Sequence, residues 1–119
     1  PLVGPSSILL SLMASGFNGQ NFCFLGYLPI DKAARTKKIK DIEQESAREK
    51  RTQIFIETPF RNNQLLSEIL KTAKPQTKLC IACNITAEDE FIYTQTVEKW
   101  RNHPIDLHKK PCIFLLFAG

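Results

Sequence analysis

The sequence predicts a small α/β domain in which a mixed five-stranded sheet is flanked by helices on both faces. Three observations carry this. First, residues 52–56, 78–83 and 111–117 are short runs rich in β-branched, aromatic and other apolar residues, too brief for helices and suited to buried strands. Second, Leu65, Leu66, Ile69, Leu70 and Ala73 recur at helical spacing. Third, the two patterns alternate along 119 residues, enough for one core and too few for two full domains. Alternation of that kind places helices over both faces of a sheet.

In chain order, Pro1-Leu2-Val3-Gly4-Pro5 reads as an interior loop without an initiator Met, so the sequence is expected to be a piece of a longer protein. Ser6 or Ser7 can cap a helix that runs to Ser15 and stops at Gly16. Ile8, Leu9, Leu10, Leu12 and Met13 surround most of that helix, which predicts burial on most sides against a neighbouring domain or subunit. Residues 1–30 carry no charged side chain. Gly16, Asn18, Gly19, Gln20 and Asn21 nevertheless interrupt the run, and a membrane span needs about 20 nearly unbroken apolar residues. A strand is expected at 22–28. Asp31 then caps a helix over 32–47 whose thin stripe of Ala34, Ile39 and Ile42 suits a peripheral position.

The strand at 52–56 stops abruptly at Glu57. Thr58 offers an N-cap and Pro59 fits the first helical position, where no N–H is needed; Pro75 marks the end of the helix that follows. Such a corner puts Glu57 at the carboxyl edge of the sheet, where open α/β sheets bind ligands, although an ordinary connection with a solvated glutamate gives the same pattern. A central strand at 78–83, a strand at 90–96, a short helix at 97–102 and a final strand buried on both faces complete the reading.

The net charge of +4 permits nucleic-acid binding without demanding it. Eight of the 16 basic residues lie between Lys32 and Arg51, but acids are mixed among them, as on a solvated helix face. Cys80 and Cys83 have a two-residue gap. On a strand, residues three apart face opposite ways, so no metal site is expected. All four cysteines read as buried reduced thiols of a cytosolic protein, and His103 and His108 as surface residues.

The order Gly4-Pro5-Ser6-Ser7, Ala14-Ser15-Gly16, Gly26-Tyr27-Leu28-Pro29 and Glu57-Thr58-Pro59-Phe60-Arg61 resembles the C-terminal half of the tetrapyrrole methylase superfamily. The ribosomal RNA small subunit methyltransferase I branch, which reads G-P-S-A, A-S-G, G-F-L-P and E-S-P-H-R in that order, is the most similar. The resemblance covers residues 1–119. It implies the C-terminal subdomain of a class III methyltransferase that uses S-adenosyl-L-methionine, with an N-terminal subdomain absent from this chain, a homodimer, ribosomal RNA as a possible partner, and neither metal nor membrane. It further implies cofactor contacts at Ser6, at Ile56, Glu57 and Thr58, at Ala82, Cys83 and Asn84, and at Pro111 and Cys112, since strand-end amides and carbonyls can read adenine whatever the side chains.

In-line methyl transfer needs positioning above all, and a ribose hydroxyl acceptor also needs its proton removed. Glu57 and Glu90 are the acids nominated for that step, and Arg61 the candidate phosphate ligand. The branch usually has A-R-E-L-T-K where this chain has Ala82-Cys83-Asn84-Ile85-Thr86-Ala87. That departure keeps two other readings open, methylation of a tetrapyrrole or other small molecule, and a catalytically silent binding module.

Overall fold

The computed structural model describes residues 5–17, 20–84, 88–103 and 105–119. Gly4, and residues 85–87 of the divergent segment, lie outside them, as does the side chain of Ser6.

The element order is α1 (Pro5–Ser15), β1 (Phe22–Tyr27), α2 (Lys32–Glu49), β2 (Thr52–Ile56), a 3-10 turn (Pro59–Arg61), α3 (Asn62–Thr72), β3 (Lys78–Cys83), β4 (Phe91–Thr96), α4 (Val97–Arg101) and β5 (Cys112–Phe117). The expected elements are all present, with ends shifted by at most two residues except at the start of α3, three residues later than expected. Gly16 follows α1 with φ 78°, a left-handed stop that glycine takes without steric cost. Asp31 caps α2 by accepting the Ala34 N–H at 2.9 Å. Lys50 ends that helix in the left-handed region, its N–H bonding to the Ser46 carbonyl.

The sheet has the order β1-β2-β5-β3-β4. β1 and β2 are parallel, with Tyr27 opposite Ile56. β5 runs antiparallel to both of its neighbours, pairing Ile113 with Ile56 of β2 and with Ala82 of β3. β4 runs antiparallel to β3, with Phe91 opposite Cys83. The carboxyl ends of β1, β2 and β3 therefore share one edge with the amino ends of β5 and β4.

One face of the sheet carries the larger core. Phe55 and Phe114 stack with ring centroids 5.8 Å apart, and Ile39 and Ile42 of α2, Leu65 and Ile69 of α3 and Trp100 of α4 close over them. The Trp100 indole N–H is satisfied by the Leu79 carbonyl at 2.8 Å. On the opposite face α1 lies over β4 and β5 and seats Leu12 on Ile54, Ile56, Cys80, Ala82, Ile113 and Leu115. Burial of α1 is thus one-sided: Leu10 and Met13 are exposed, as are Phe22, Phe24 and Tyr27 of β1.

Two expectations need correction. Thr58 forms no side-chain cap, and the turn Pro59–Arg61 intervenes before α3: the Arg61 N–H is taken by the Thr58 backbone carbonyl at 2.9 Å. The four cysteines are not all free thiols: Cys83 and Cys112 form a disulfide. They are direct cross-strand partners with Cα atoms 4.2 Å apart, close to the spacing of a non-hydrogen-bonded antiparallel pair. Cys80 and Cys83 do point to opposite faces, as β alternation requires, and pack in different core clusters.

Candidate functional site

The edge where β2, β5 and β3 meet is built from backbone. β2 delivers Ile56, Glu57 and Thr58, and β5 begins beside them, since Ile56 pairs with Ile113. On the other flank Cys83 pairs with Cys112, and the Asn84 N–H donates to the Pro111 carbonyl at 3.0 Å. Asn84 leaves β3 with φ 54°, a conformation asparagine tolerates better than most residues, and its side-chain amide donates to Asp89 at 3.0 Å. The tripeptides 56–58 and 82–84 and the dipeptide 111–112 are therefore contiguous along one lip. Thr58, Asn84 and Pro111 are half-buried there, whereas Ala82, Cys83 and Cys112 are buried. What the lip offers a ligand is mainly apolar wall, since the Thr58 and Asn84 N–H groups and the Thr58 and Pro111 carbonyls already take part in bonds within the chain.

Behind the lip lies a charged cluster that sequence reasoning missed. Arg35 of α2, only 1% exposed, makes a two-point contact with Glu68 of α3: its Nε donates to Oε1, and its Nη2 donates to Oε2 at 2.9 Å. Its remaining nitrogen, Nη1, stands 3.7 Å from Oε2 of Glu57, and neither of those two atoms has a hydrogen-bond partner. Glu57 is thus turned inward, held by Arg35 and by the Thr58 N–H, with Arg61 Nη1 3.9 Å from its other oxygen. The missed signal was periodicity: positions 35, 39, 42 and 46 continue one helical stripe, and all four are buried.

Glu90 is exposed just before β4. It lies on the same edge but three strand spacings from the end of β2, about 14 Å, so the two nominated acids are not brought together. Arg61 stands beside Glu57, at the outer end of the 3-10 turn. Among the described residues no group of three or more His, Cys, Asp or Glu could hold a metal, and no helix is long and apolar enough to cross a membrane.

Residues 105–110 are stitched onto the start of α3. Asn62 donates to the Leu107 and Lys110 carbonyls at 3.3 and 2.6 Å. The Asn63 carbonyl oxygen accepts the Leu107 N–H at 2.7 Å, and its amide donates to Asp106 at 2.8 Å. That Asn63 bond, then the His108 N–H, hold the Asp106 carboxyl below its ordinary pKa. On the far face of the sheet, burial pushes the Cys80 thiol up, partly offset by hydrogen bonds from Thr94 and Tyr93.

No protein-family model matches the chain. Curated relatives do. The ribosomal RNA small subunit methyltransferase I of Buchnera aphidicola (Schizaphis graminum) is 31% identical over 122 aligned positions, covering all of this chain and 41% of the relative. The protein of the same name from Pasteurella multocida is 34% identical, covering 85% of this chain and 34% of the relative. The resemblance to the ribosomal RNA small subunit methyltransferase I branch holds. The chain spans about two fifths of the first of these relatives and about one third of the second. The Vibrio cholerae member of this branch, 34% identical, is covered to a similar extent, 31% of its length. Among solved structures, the methyltransferase CobJ superposes with a TM-score of 0.57 at 15% identity, over 92% of this chain and 46% of CobJ. The fold is shared with part of that enzyme.

Proposed function

We propose that these residues are the C-terminal subdomain of a homodimeric S-adenosyl-L-methionine-dependent methyltransferase that methylates a ribose 2′-hydroxyl of small-subunit ribosomal RNA; a cytoplasmic location follows from that acceptor and not from the cysteines, two of which are paired. The observation that carries the proposal is the convergence of 56–58, 82–84 and 111–112 on one lip, in a chain 31% identical along its whole length to a ribosomal RNA methyltransferase. In this reading the lip is one wall of the cofactor cleft and a preceding subdomain supplies the other. On this reading the isolated 119 residues, with only one wall of the cleft, are expected to be inactive.

The donor, when bound, supplies an electrophilic methyl group for in-line displacement. The chain's own residues position it. Peptide groups at Thr58, Asn84 and Pro111 border the adenosine, and buried Ala82 and Cys112 keep water from that wall. Arg35 and Glu68 brace Glu57 from behind, fixing the corner after β2 in one geometry, which is where catalysis by orientation is gained or lost. Arg61, half-exposed beside that corner, is positioned to meet an RNA phosphate.

The test is transfer of a radiolabelled methyl group by the full-length protein to small ribosomal particles. Label in the RNA at a 2′-O-methyl nucleotide is the expected result; label in a corrinoid precursor instead overturns the acceptor. A second reading, a silent binding module, draws on the disulfide standing at position 83, where the branch usually has arginine. Calorimetry separates the two, because a silent module shows no heat with millimolar S-adenosyl-L-methionine.

A further inference from the structure

Phe60 is an apolar side chain with no place in the core. It is 69% exposed on the 3-10 turn directly after the lip. Its ring meets the exposed imidazole of His108 edge-on, with centroids 5.7 Å apart and planes at 69°, which holds the ring without covering it. The turn and the 105–110 loop are tied together by the Lys109 N–H, which donates to the Pro59 carbonyl at 3.1 Å, and by the two Asn62 bonds. The ring is therefore mounted on a braced frame. Arg61 follows it in the turn, and exposed Lys109 and Lys110 lie on the tied loop, against two carboxylates, Asp106 on that loop and Glu57 with an oxygen 3.9 Å from Arg61. An exposed aromatic face among excess cations matches a single-stranded nucleic acid, whose bases stack on the ring while its phosphates meet the cations. A protein partner would have no use for the cationic excess unless it were itself acidic.

Resting on the methyltransferase reading, we infer that Phe60 is a stacking platform for an unpaired base of the RNA acceptor, with His108 bracing the ring and Arg61, Lys109 and Lys110 holding the flanking phosphates. Its place fits the chemistry. The Phe60 Cα lies within about 7 Å of that of Thr58, the reach of two residues. A base stacked there brings its neighbouring ribose to the lip where the methyl donor is proposed to sit. A platform of this kind selects unpaired RNA, because a paired base has no free face.

The test is fluorescence anisotropy of a labelled single-stranded RNA of about ten nucleotides, a length within the range such grooves cover, titrated with the full-length protein. Phe60→Ala is expected to weaken binding about tenfold or more, as loss of one stacked base does, while Phe60→Trp retains it. Arg61→Gln, Lys109→Gln and Lys110→Gln are each expected to lower the salt dependence. The same sequence as a duplex should bind more weakly and be indifferent to Phe60→Ala. Circular dichroism verifies that the exposed substitution leaves the fold intact. Unchanged affinity of Phe60→Ala, equal loss on the duplex, or no binding to the single strand overturns the inference. Cofactor calorimetry on the same samples keeps the two readings apart. A Phe60-dependent RNA signal without cofactor binding leaves the platform standing and removes the methyltransferase, and cofactor binding with a Phe60-independent RNA signal does the reverse.

Discussion

Arg35 carries more consequence than any other single residue outside the lip. A buried guanidinium is tolerable only when its charge is matched, and here two carboxylates from different elements, Glu68 and Glu57, match it. Arg35→Met would leave Glu68 buried without its partner and Glu57 with only the more distant Arg61, so a loss of about 3–5 kcal/mol is expected in urea unfolding. Arg35→Met combined with Glu68→Leu should recover part of that loss, because one orphaned charge goes with its partner. A second residue-scale expectation concerns Asp106. Hydrogen bonds from Asn63 and the His108 N–H hold its pKa below the ordinary aspartate value in the folded state. A depressed carboxylate contributes stability that is present above its unfolded pKa and lost as pH falls through the folded value. The Asp106 carboxyl followed by NMR should therefore titrate below an ordinary aspartate, and Asn63→Ala should move its midpoint back up toward the ordinary value. Neither contact was legible in the sequence. Arg35 lies in a basic run that reads as solvated, and only the stripe through Ile39 and Ile42 hints that it turns inward.

The elements were more legible than the contacts between them. Periodicity and punctuation suffice for a helix stopped by Gly16 or a strand stopped by Glu57, since those signals act within a few residues. Strand pairing is a different matter. That β5, last in sequence, enters between β2 and β3 follows from long-range packing of Phe55 on Phe114 and Ile81 beside them, and no local signal announces it. The disulfide was missed for the same reason: Cys83 and Cys112 are 29 residues apart and become neighbours only once β5 takes its place. Closing a loop of that length should stabilise the fold by about 2–4 kcal/mol. Reductant is expected to lower the urea midpoint of the wild type and leave a Cys83→Ala, Cys112→Ala double variant unmoved; a wild-type midpoint indifferent to reductant contradicts the bond.

At the scale of the whole molecule, the sheet has one thickly covered face and one that α1 covers only in part. The apolar side chains left over, Leu10 and Met13 on α1 with Phe22, Phe24 and Tyr27 on β1, surround the uncovered part, which in the proposed reading faces another subdomain or subunit. The sequence hinted at this through its uncharged first 30 residues, but which side of α1 would be bare depended on where the sheet placed it. The lip itself was legible as an order of strand ends, whereas the inward turn of Glu57 and the outward turn of Phe60 were not. The central claim is that the lip receives the methyl donor, and hydrogen exchange on the full-length protein reads this most directly. Saturating S-adenosyl-L-methionine is predicted to slow exchange in peptides spanning 56–58, 82–84 and 111–112 together. Slowed exchange confined to the opposite edge of the sheet, around Lys74 to Lys78, or no change in any of the three segments, would contradict it.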